Sequence, residues 1–389
     1  MTSTPIRTVL PLAALTGTSM LAMDLFLPAV PALQASLGID IERAQASVAV
    51  FLGGLAASQL AWGEALNRIG PRRCVLIGIT VLVLASVGCA LAPGIEWLLL
   101  MRLLQGFAAG AATVVAPSVV STSLSDADAV RGMATIASIE AIVPAAGPVL
   151  GTALLAWTDW RGTFWVLAAV SALALPFVVR IAPIELPGLD RTVPARYADI
   201  LGNRRYLRLA LSHALCIGAL LSFVASAPQM LARGFGLGPS AFAVLQVFGV
   251  GSFMLAASQS GRISQRLGPM RAVRFGAVAH AVLCAALLGA ALLQVLSFVG
   301  LVVFWCAFCA ILAMRGPAAF GLALQLPPSQ MGRASALMVL ALLLVGAIAT
   351  QAVAPFIAQP SAVPVALMML IASAVSLGLL IPPTRATPT

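Results

Sequence analysis

Two carboxylates of this chain lie inside stretches that are apolar enough to cross a lipid bilayer. Asp24 stands in the first hydrophobic run and Glu140 in the fifth. A charge at the centre of a bilayer costs about 2.5–3.5 kcal/mol on insertion scales, so intramembrane acids usually serve transport or a proton relay. All twelve Asp and Glu lie before residue 200. If the protein uses a proton gradient, its N-terminal half must therefore carry the coupling groups.

Arg102 is the basic residue that we expect to work with Asp24. Counted at about 1.5 Å per residue from the outer ends of their helices, the two lie at depths that differ by only several Å. A buried arginine favours the ionised carboxylate, whereas desolvation favours the protonated one. This opposition suits a group that exchanges protons. The alternative is a fixed ion pair that only orders the helices.

Glu140 precedes Pro144 by about one helical turn and Gly147 by about two, so the three lie on one helical face. We expect this face to border a cavity. Glu140 would then be a second proton site, or it would recognise a cationic or hydrogen-bonding substrate. The alternative is a neutral glutamic acid bonded to a neighbouring helix.

Arg315, in the C-terminal half, has no acid in its own half. Three interpretations stay open: it pairs across the interface between the halves, it binds an anionic substrate, or its long side chain reaches the cytoplasmic surface. Several glutamines, among them Gln229 and Gln246, could offer hydrogen bonds to a cavity, and the sequence does not rank them.

The composition indicates a helical membrane protein with many spans. Of the 389 residues 61% are hydrophobic and 9% charged, which excludes a soluble globular domain. The apolar runs are continuous over about 20 residues, as in spanning helices and unlike the alternating strands of a β-barrel. The net charge of +10 does not indicate nucleic-acid binding, because the arginines lie between the hydrophobic runs. The chain has no lysine, which excludes a Walker-type phosphate-binding loop, and we expect no cofactor.

Twelve spanning segments are predicted, in two groups of six. They run over residues 8–33, 44–66, 73–92, 97–119, 130–156, 160–182, 206–231, 240–263, 271–292, 295–319, 332–356 and 362–382. The longest link, residues 183–205, separates an N-terminal bundle (1–182) from a C-terminal bundle (206–389). We therefore expect an all-α membrane fold of two pseudo-symmetric six-helix bundles.

Most arginines fall in the links on one side of the predicted bundle. The positive-inside rule places that side and both termini in the cytoplasm, which predicts a multi-pass protein of the bacterial inner membrane. The link after the second segment, GEALNRIGPRR (63–73), and the link after the eighth, GRISQRLGPMR (261–271), share the pattern G…R-[IL]-G-P-x-R. Matching turns in two halves favour a duplicated transporter whose site lies between the halves. The lipid bilayer would surround the protein as a whole.

The chain resembles the major facilitator superfamily, specifically its twelve-helix drug:proton antiporters, and it is most similar to the bicyclomycin-resistance and phenicol-exporter branch. The resemblance covers nearly the whole chain. Four motifs carry it: MDLFLPAVP (23–31), the turn at 63–73, RLLQG (102–106) and PAAGPVLG (144–151). The sequence WRGTF (160–164) is also typical of this branch.

The resemblance covers the motifs that contain Asp24, Arg102 and Gln105, whereas this branch usually has an apolar residue at the position of Glu140. We expect Asp24, Glu140 and Arg102 to couple protons, and these three to bind substrate together with Gln105 and Arg315. Conformational gating would rest on the turn and on the antiporter motif of the fifth segment, through Gly63, Asn67, Arg68, Gly70, Arg72, Pro144, Gly147, Pro148 and Gly151. The family has an Asp where this chain has Asn67. The outward-open state would then be less favoured, or Glu64 would substitute for that Asp.

The expected function is a proton-coupled secondary active exporter of drugs such as phenicols, working as a monomer by alternating access. One alternative is the export of a native metabolite such as a siderophore, a purine or an amino acid derivative, which the polarity of Glu140 and Arg315 favours modestly. A proton-coupled importer and a non-transporting receptor are further alternatives. A membrane enzyme would need clustered His, Cys or acids near one membrane face, and because the sequence offers no such cluster we expect no enzyme.

Overall fold

The computed structural model describes residues 4–123, 126–179, 197–357 and 361–381, which form an all-α protein. Short 3₁₀ turns occupy Leu27–Ala29 and Ala354–Phe356. The helices are α1 (Thr4–Asp24), α2 (Val30–Leu37), α3 (Ile41–Ile69), α4 (Pro71–Ala90), α5 (Ile95–Ser123), α6 (Asp126–Leu155), α7 (Trp160–Val179), α8 (Tyr197–Leu201), α9 (Arg204–Gly234), α10 (Pro239–Leu267), α11 (Pro269–Leu292), α12 (Phe298–Ala323), α13 (Pro328–Val353) and α14 (Val363–Leu380).

The predicted segments correspond to these helices. Among the described residues, 11 segments are long and apolar enough to cross a membrane, with α1 and α2 counted together as Leu10–Leu37. Helix α7 takes the place of the sixth predicted segment. Most helices extend beyond the predicted bounds, because their polar end residues continue past the apolar stretch. The predicted link at 183–205 lies mostly outside the described residues, so the domain boundaries stay a prediction.

The first predicted segment is not one continuous helix. Helix α1 ends at Asp24, a turn follows, and the chain resumes as a 3₁₀ turn and then α2. Pro28 lacks the N–H that would bond the carbonyl of Asp24 in a continuous helix. Pro31 likewise cannot bond the carbonyl of Leu27, which accepts from the N–H of Val30 instead. Asp24 therefore stands at a helix end inside the spanning segment.

The packing differs between the two faces of the bundle. We call the face where α1 begins and α14 ends the terminal face, and the other the opposite face. At the opposite face one apolar core joins both halves and includes Phe26, Leu52, Phe223 and Leu245.

At the terminal face the two halves have separate cores. One core contains Leu12 and Val119 of the N-terminal half, and the other contains Tyr206 and Met338 of the C-terminal half. Helices α3 with α13 and α6 with α10 make the main contacts between the halves. The described halves therefore share a core at the opposite face and no core at the terminal face.

The two repeated turns adopt the same conformation. Gly70 has φ +80° and Gly268 has φ +83°, and each ends one helix directly before the proline that begins the next. Such φ angles are strained for any residue with a Cβ atom, which explains the glycine in both copies. The internal repeat predicted from the sequence is thus a structural repeat.

We expect Gly54→Ala to destabilise the protein by about 1–3 kcal/mol, because α3 and α5 cross in close contact there. A Cβ atom at Gly54 would lie 2.2 Å from the carbonyl oxygen of Leu103, and one at Gly106 would lie 2.0 Å from that of Phe51. Gly53 is the matched control, since a Cβ atom there meets nothing within 4 Å. Thermal unfolding in one detergent should give a lower midpoint for Gly54→Ala alone. Equal midpoints for the two variants would contradict the prediction.

Candidate functional site

Asp24 is packed against the glycines of α6. Its residue is 8% exposed. A Cβ atom on Gly147 would lie 2.5 Å from the Cβ atom of Asp24, and one on Gly151 would lie 2.3 Å from the carbonyl oxygen of Leu25. The motif at 144–151 therefore forms the wall against which the break in the first segment rests. Any larger residue at these two positions would push α6 away from the acid.

The carboxylate of Asp24 has no hydrogen-bond partner and no basic group within 4.0 Å among the described residues. It is also not fully shielded, since its oxygens are not among the inaccessible side-chain atoms. An isolated intramembrane carboxylate is stabilised when it takes up a proton or a cation. Asp24 thus has the position and the freedom that a coupling group requires.

Arg102 does not form the expected ion pair with Asp24. Its guanidinium is completely buried and donates to the carbonyl oxygens of Ala22 and Ser47, both at 3.0 Å, and to Gln105 Oε1 at 2.5 Å. Ala22 lies two residues before Asp24, so the predicted depth agrees with the structure. The side chain turns into the bundle, where backbone carbonyls take the place of a carboxylate.

Three aromatic rings complete the surroundings of Arg102. Its guanidinium carbon lies 4.3 Å from the ring centre of Phe51, 4.8 Å from that of Phe26 and 5.7 Å from that of Phe164. Cation–π contacts of this kind stabilise a desolvated guanidinium. Sequence reasoning missed this cage, although Phe26 lies inside the motif at 23–31 and Phe164 inside the branch-typical sequence at 160–164.

Gln105 continues the same buried network. It is completely buried, accepts from Arg102 and donates from Nε2 to Ser86 Oγ at 2.9 Å. Both Arg102 and Gln105 are enclosed by protein in this conformation. We therefore interpret them as groups that hold α1, α3, α4 and α5 together around Asp24. Their predicted contact with substrate is not observed and stays a prediction.

We expect Arg102→Lys to lower stability by at least about 1.5–3 kcal/mol, the typical contribution of one hydrogen bond to a charged group. The flat, forked guanidinium contacts both carbonyls, Gln105 and the rings at once. The compact ammonium group of lysine cannot make all these contacts. The matched control is Arg43→Lys, because the Arg43–Glu96 pair at 3.3 Å is exposed and such pairs contribute about 0–1 kcal/mol. Unfolding midpoints in detergent measure both changes. A loss no larger for Arg102 than for Arg43 would argue against the cage.

Glu140 lies nearer the terminal face than Asp24 does. Helices α1 and α6 run side by side, with Ile139 against Gly17 and Gly147 against Asp24. Gly147 marks the level of Asp24, and Glu140 lies seven positions earlier in α6. The carboxyl groups of Asp24 and Glu140 are therefore at levels about 10 Å apart along the helix.

The neighbours of α6 show which side of the helix carries Glu140. Gly147 faces α1, and Thr152 faces α10 through a 3.3 Å hydrogen bond from Oγ1 to the carbonyl oxygen of Pro239. Ile142 and Val149, on the remaining side, are 51% and 42% exposed. Glu140 is half-buried and lies about 20° around the helix from Gly147, on the side that faces α1. Its carboxylate has no hydrogen bond or ion pair with the described residues, so the expected alternative, a bond to a neighbouring helix, is not observed.

Arg315 lies inside the C-terminal bundle. It is 1% exposed, and its Nη2 donates to Ser212 Oγ at 3.1 Å and to Ser376 Oγ at 3.3 Å. Its Cβ atom packs on Gly276. Helices α9, α11 and α14 of its own half thus surround it. The side chain of Arg315 therefore reaches neither the cytoplasmic surface nor a partner across the interface between the halves. Its predicted contact with an anionic substrate is not observed.

The predicted gating residues of the first turn are only partly described. Arg68 donates to Glu64 at 2.9 Å within α3, so Glu64 does not reach the other half in this conformation. The side chain of Asn67 lies outside the described residues. The gating roles of the turn residues, Gly63, Asn67, Arg68, Gly70 and Arg72, and of Pro144, Gly147, Pro148 and Gly151 in α6 stay predictions.

A set of hydrogen bonds that sequence reasoning missed joins the halves at the opposite face. Gln45 Nε2 donates to the carbonyl oxygen of Ala225 at 2.9 Å, and Gln229 Nε2 donates to Gln34 Oε1 at 2.9 Å. We call these two bonds the polar seal. Gln229, one of the glutamines that could offer hydrogen bonds to a cavity, takes part in closing one face in this conformation. The only sequence signal was the presence of glutamine in apolar segments.

Comparisons with known proteins place this geometry in a family. The model of the Major Facilitator Superfamily matches residues 12–350. Multidrug resistance protein MdtL of Escherichia coli O139:H28 (strain E24377A / ETEC) is 28% identical over 236 residues, 60% of this chain and 60% of that protein. The protein of the same name from Shigella flexneri gives the same values. The chain thus spans about 60% of the length of these curated relatives.

A solved structure gives the same fold over nearly the whole length. The crystal structure of a D-xylose-proton symporter aligns with 98% of this chain and 99% of that chain, with a TM-score of 0.74 and 16% sequence identity. This similarity confirms the predicted fold of two six-helix bundles. Since the family model covers most of the chain, this transporter-fold protein belongs to the major facilitator superfamily.

Proposed function

We propose that this chain is a proton-coupled exporter of small molecules that works by alternating access. The observation that carries the proposal is the isolated carboxylate of Asp24, which stands at a helix break in mid-segment and rests on the glycines of the antiporter-like motif. Such a group can hold either a proton or a cationic part of a substrate. Competition between the two would couple outward substrate movement to inward proton movement.

The arrangement of the halves supports alternating access. A shared core with the polar seal at the opposite face, and separate cores at the terminal face, correspond to one end state of a rocking cycle. The positive-inside rule makes this the inward-open state of an inner-membrane protein with cytoplasmic termini. Substrate would then enter from the cytoplasm past Glu140 to Asp24, and a proton arriving from outside would release it. Each charge moved inward adds about 2.3 kcal/mol per 100 mV.

Drugs are the substrates that the relatives favour, because MdtL is named for multidrug resistance. Export of a native metabolite is the second candidate, and the unpartnered Glu140 on the path to Asp24 favours a polar or cationic one. Arg315 no longer supports this candidate, since it is buried inside its own bundle. An importer would use the same carboxylates with the opposite sign of coupling.

The test is transport by the wild-type protein in proteoliposomes that contain a pH-sensitive dye. Phenicols, organic cations and siderophore-like metabolites are added under an imposed pH gradient. An antiporter moves the accepted substrate against the proton flow and dissipates the gradient. Movement of substrate and protons in the same direction would replace the proposal by an importer, and substrate flux that ignores the gradient would replace it by a facilitator.

A further inference from the structure

The two halves of the chain differ sharply in charge. Residues 1–199 carry eleven arginines and all twelve acids, whereas residues 200–389 carry eleven arginines and no acid. The arginines of the second half cannot find a carboxylate within it. The eleven are Arg204, Arg205, Arg208, Arg233, Arg262, Arg266, Arg271, Arg274, Arg315, Arg333 and Arg385. Those that are exposed at the membrane surface can be neutralised only by acids of the first half or by groups from outside the chain.

The repeated turns locate where this difference is greatest. In the first turn Glu64 accepts from Arg68 at 2.9 Å, so the turn supplies its own counter-ion. Aligned on Gly70 and Gly268, the second turn has Arg262 at the place of Glu64. The repeat has thus exchanged an acid for a base at an equivalent surface position.

The second turn is therefore surrounded by four exposed arginines and no acid of its own half: Arg262, Arg266, Arg271 and Arg274. Arg262 donates weakly to Gln259 Oε1 at 3.5 Å, which is a neutral acceptor. The other three have no hydrogen-bond acceptor or acid among the described residues. These guanidinium groups are free to bind an anion.

An apolar stripe continues from the arginines along α11. Arg271, Phe275, Val278 and Val282 follow one another at helical spacing on one face. The last three are 63%, 46% and 64% exposed. The surface therefore presents cations at the terminal face and, one to three turns deeper in the spanning segment, a strip of exposed hydrocarbon.

We propose that the α10–α11 turn and the α11 stripe bind an anionic phospholipid. Guanidinium groups bind phosphate oxygens in pairs, which suits the headgroup. The stripe of Phe275, Val278 and Val282 matches the acyl chain that hangs below such a headgroup. A soluble phosphate would use the arginines but not the stripe. The assignment does not depend on proton coupling or on the direction of transport.

Native mass spectrometry in detergent tests this site, with phosphatidylglycerol added to one sample and phosphatidylcholine to another. The variant is Arg266→Gln with Arg271→Gln and Arg274→Gln. The matched control carries Arg68→Gln, Arg72→Gln and Arg73→Gln in the equivalent first turn. Each arginine near a membrane surface contributes about 1 kcal/mol, or roughly fivefold, so we expect phosphatidylglycerol retention to fall on the order of 100-fold in the variant. The control should lose less, because Glu64 already pairs with Arg68 in the first turn, and the phosphatidylcholine samples should change little.

Two further measurements identify the source of the phosphate. Phe275→Ser should weaken the retention of phosphatidylglycerol, and soluble glycerol 3-phosphate should not displace the lipid. Equal losses in the two turns, equal retention of both lipids, or displacement by glycerol 3-phosphate would each overturn the proposal. If the triple variant does not fold, Arg271→Gln alone should show about a fivefold loss.

Discussion

Replacement of Asp24 by asparagine is expected to abolish substrate-evoked proton movement, down to the level of protein-free liposomes. Asparagine fits the space that Gly147 leaves, because it has the shape of aspartate, but it cannot exchange a proton. The variant should therefore fold like the wild type. Exchange of a neutral substrate between equal concentrations should persist, since it needs neither net proton transfer nor the negative charge of Asp24. The measurement is the pH-dye assay in proteoliposomes, run with any substrate that the wild type accepts.

Glu42→Gln is the surface control for Asp24→Asn, because Glu42 is an exposed acid at the opposite face. It should leave proton movement unchanged. For Glu140→Gln we expect a partial loss of function, in which cationic substrates are no longer transported while neutral ones still are. Proton movement at the wild-type level in Asp24→Asn would contradict the assignment of Asp24 as the coupling group. If Glu140→Gln then abolished proton movement for all substrates, Glu140 would be the coupling group.

The comparison of Asp24 and Arg102 shows what a sequence can say about a membrane site. The rise per residue fixes how deep a side chain lies, and the predicted depths of the two residues agree with the structure. The direction in which a side chain leaves its helix is set by the packing of neighbouring helices. Arg102 therefore lies at the level of Ala22 but turns toward the carbonyl of Ser47 and the three rings.

Arg315, in the other half, likewise shows that packing decides which groups surround a side chain. The absence of acids suggested a partner outside the half, since a buried charge needs compensation. The structure places two serines of α9 and α14 beside it, and these come from positions far apart in the chain. Serines are common in apolar helices, so nothing in the sequence marks them as partners. The motifs, by contrast, were informative because their glycines and prolines impose local geometry, as at Gly70 and Gly147.

The polar seal leads to the second large expected effect, a change in the balance between the two end states. The seal joins the halves only at the opposite face, so its bonds exist in the observed state and break when that face opens. The double variant Gln34→Met and Gln45→Met removes both bonds with side chains of similar size, together with the longer bond of 3.3 Å from Arg233 Nη2 to Gln34 Oε1. Each net hydrogen bond contributes about 0.5–1.5 kcal/mol, so we expect the ratio of closed to open opposite face to fall about 5- to 150-fold.

Distances between spin labels at Glu42→Cys and Ser240→Cys measure this ratio, since both positions are exposed at the opposite face in different halves. Cys306, the one half-exposed cysteine among the described residues, is replaced by serine, and the other five are buried. The control is Gln59→Met, because Gln59 lies on α3 with Gln45 but bonds Leu55 and Thr113 inside its own half. A second, longer distance should appear in the double variant and not in the control. If the distances stay those of the wild type, the shared apolar core alone holds the opposite face closed, and the two glutamine bonds contribute nothing to the balance between the states.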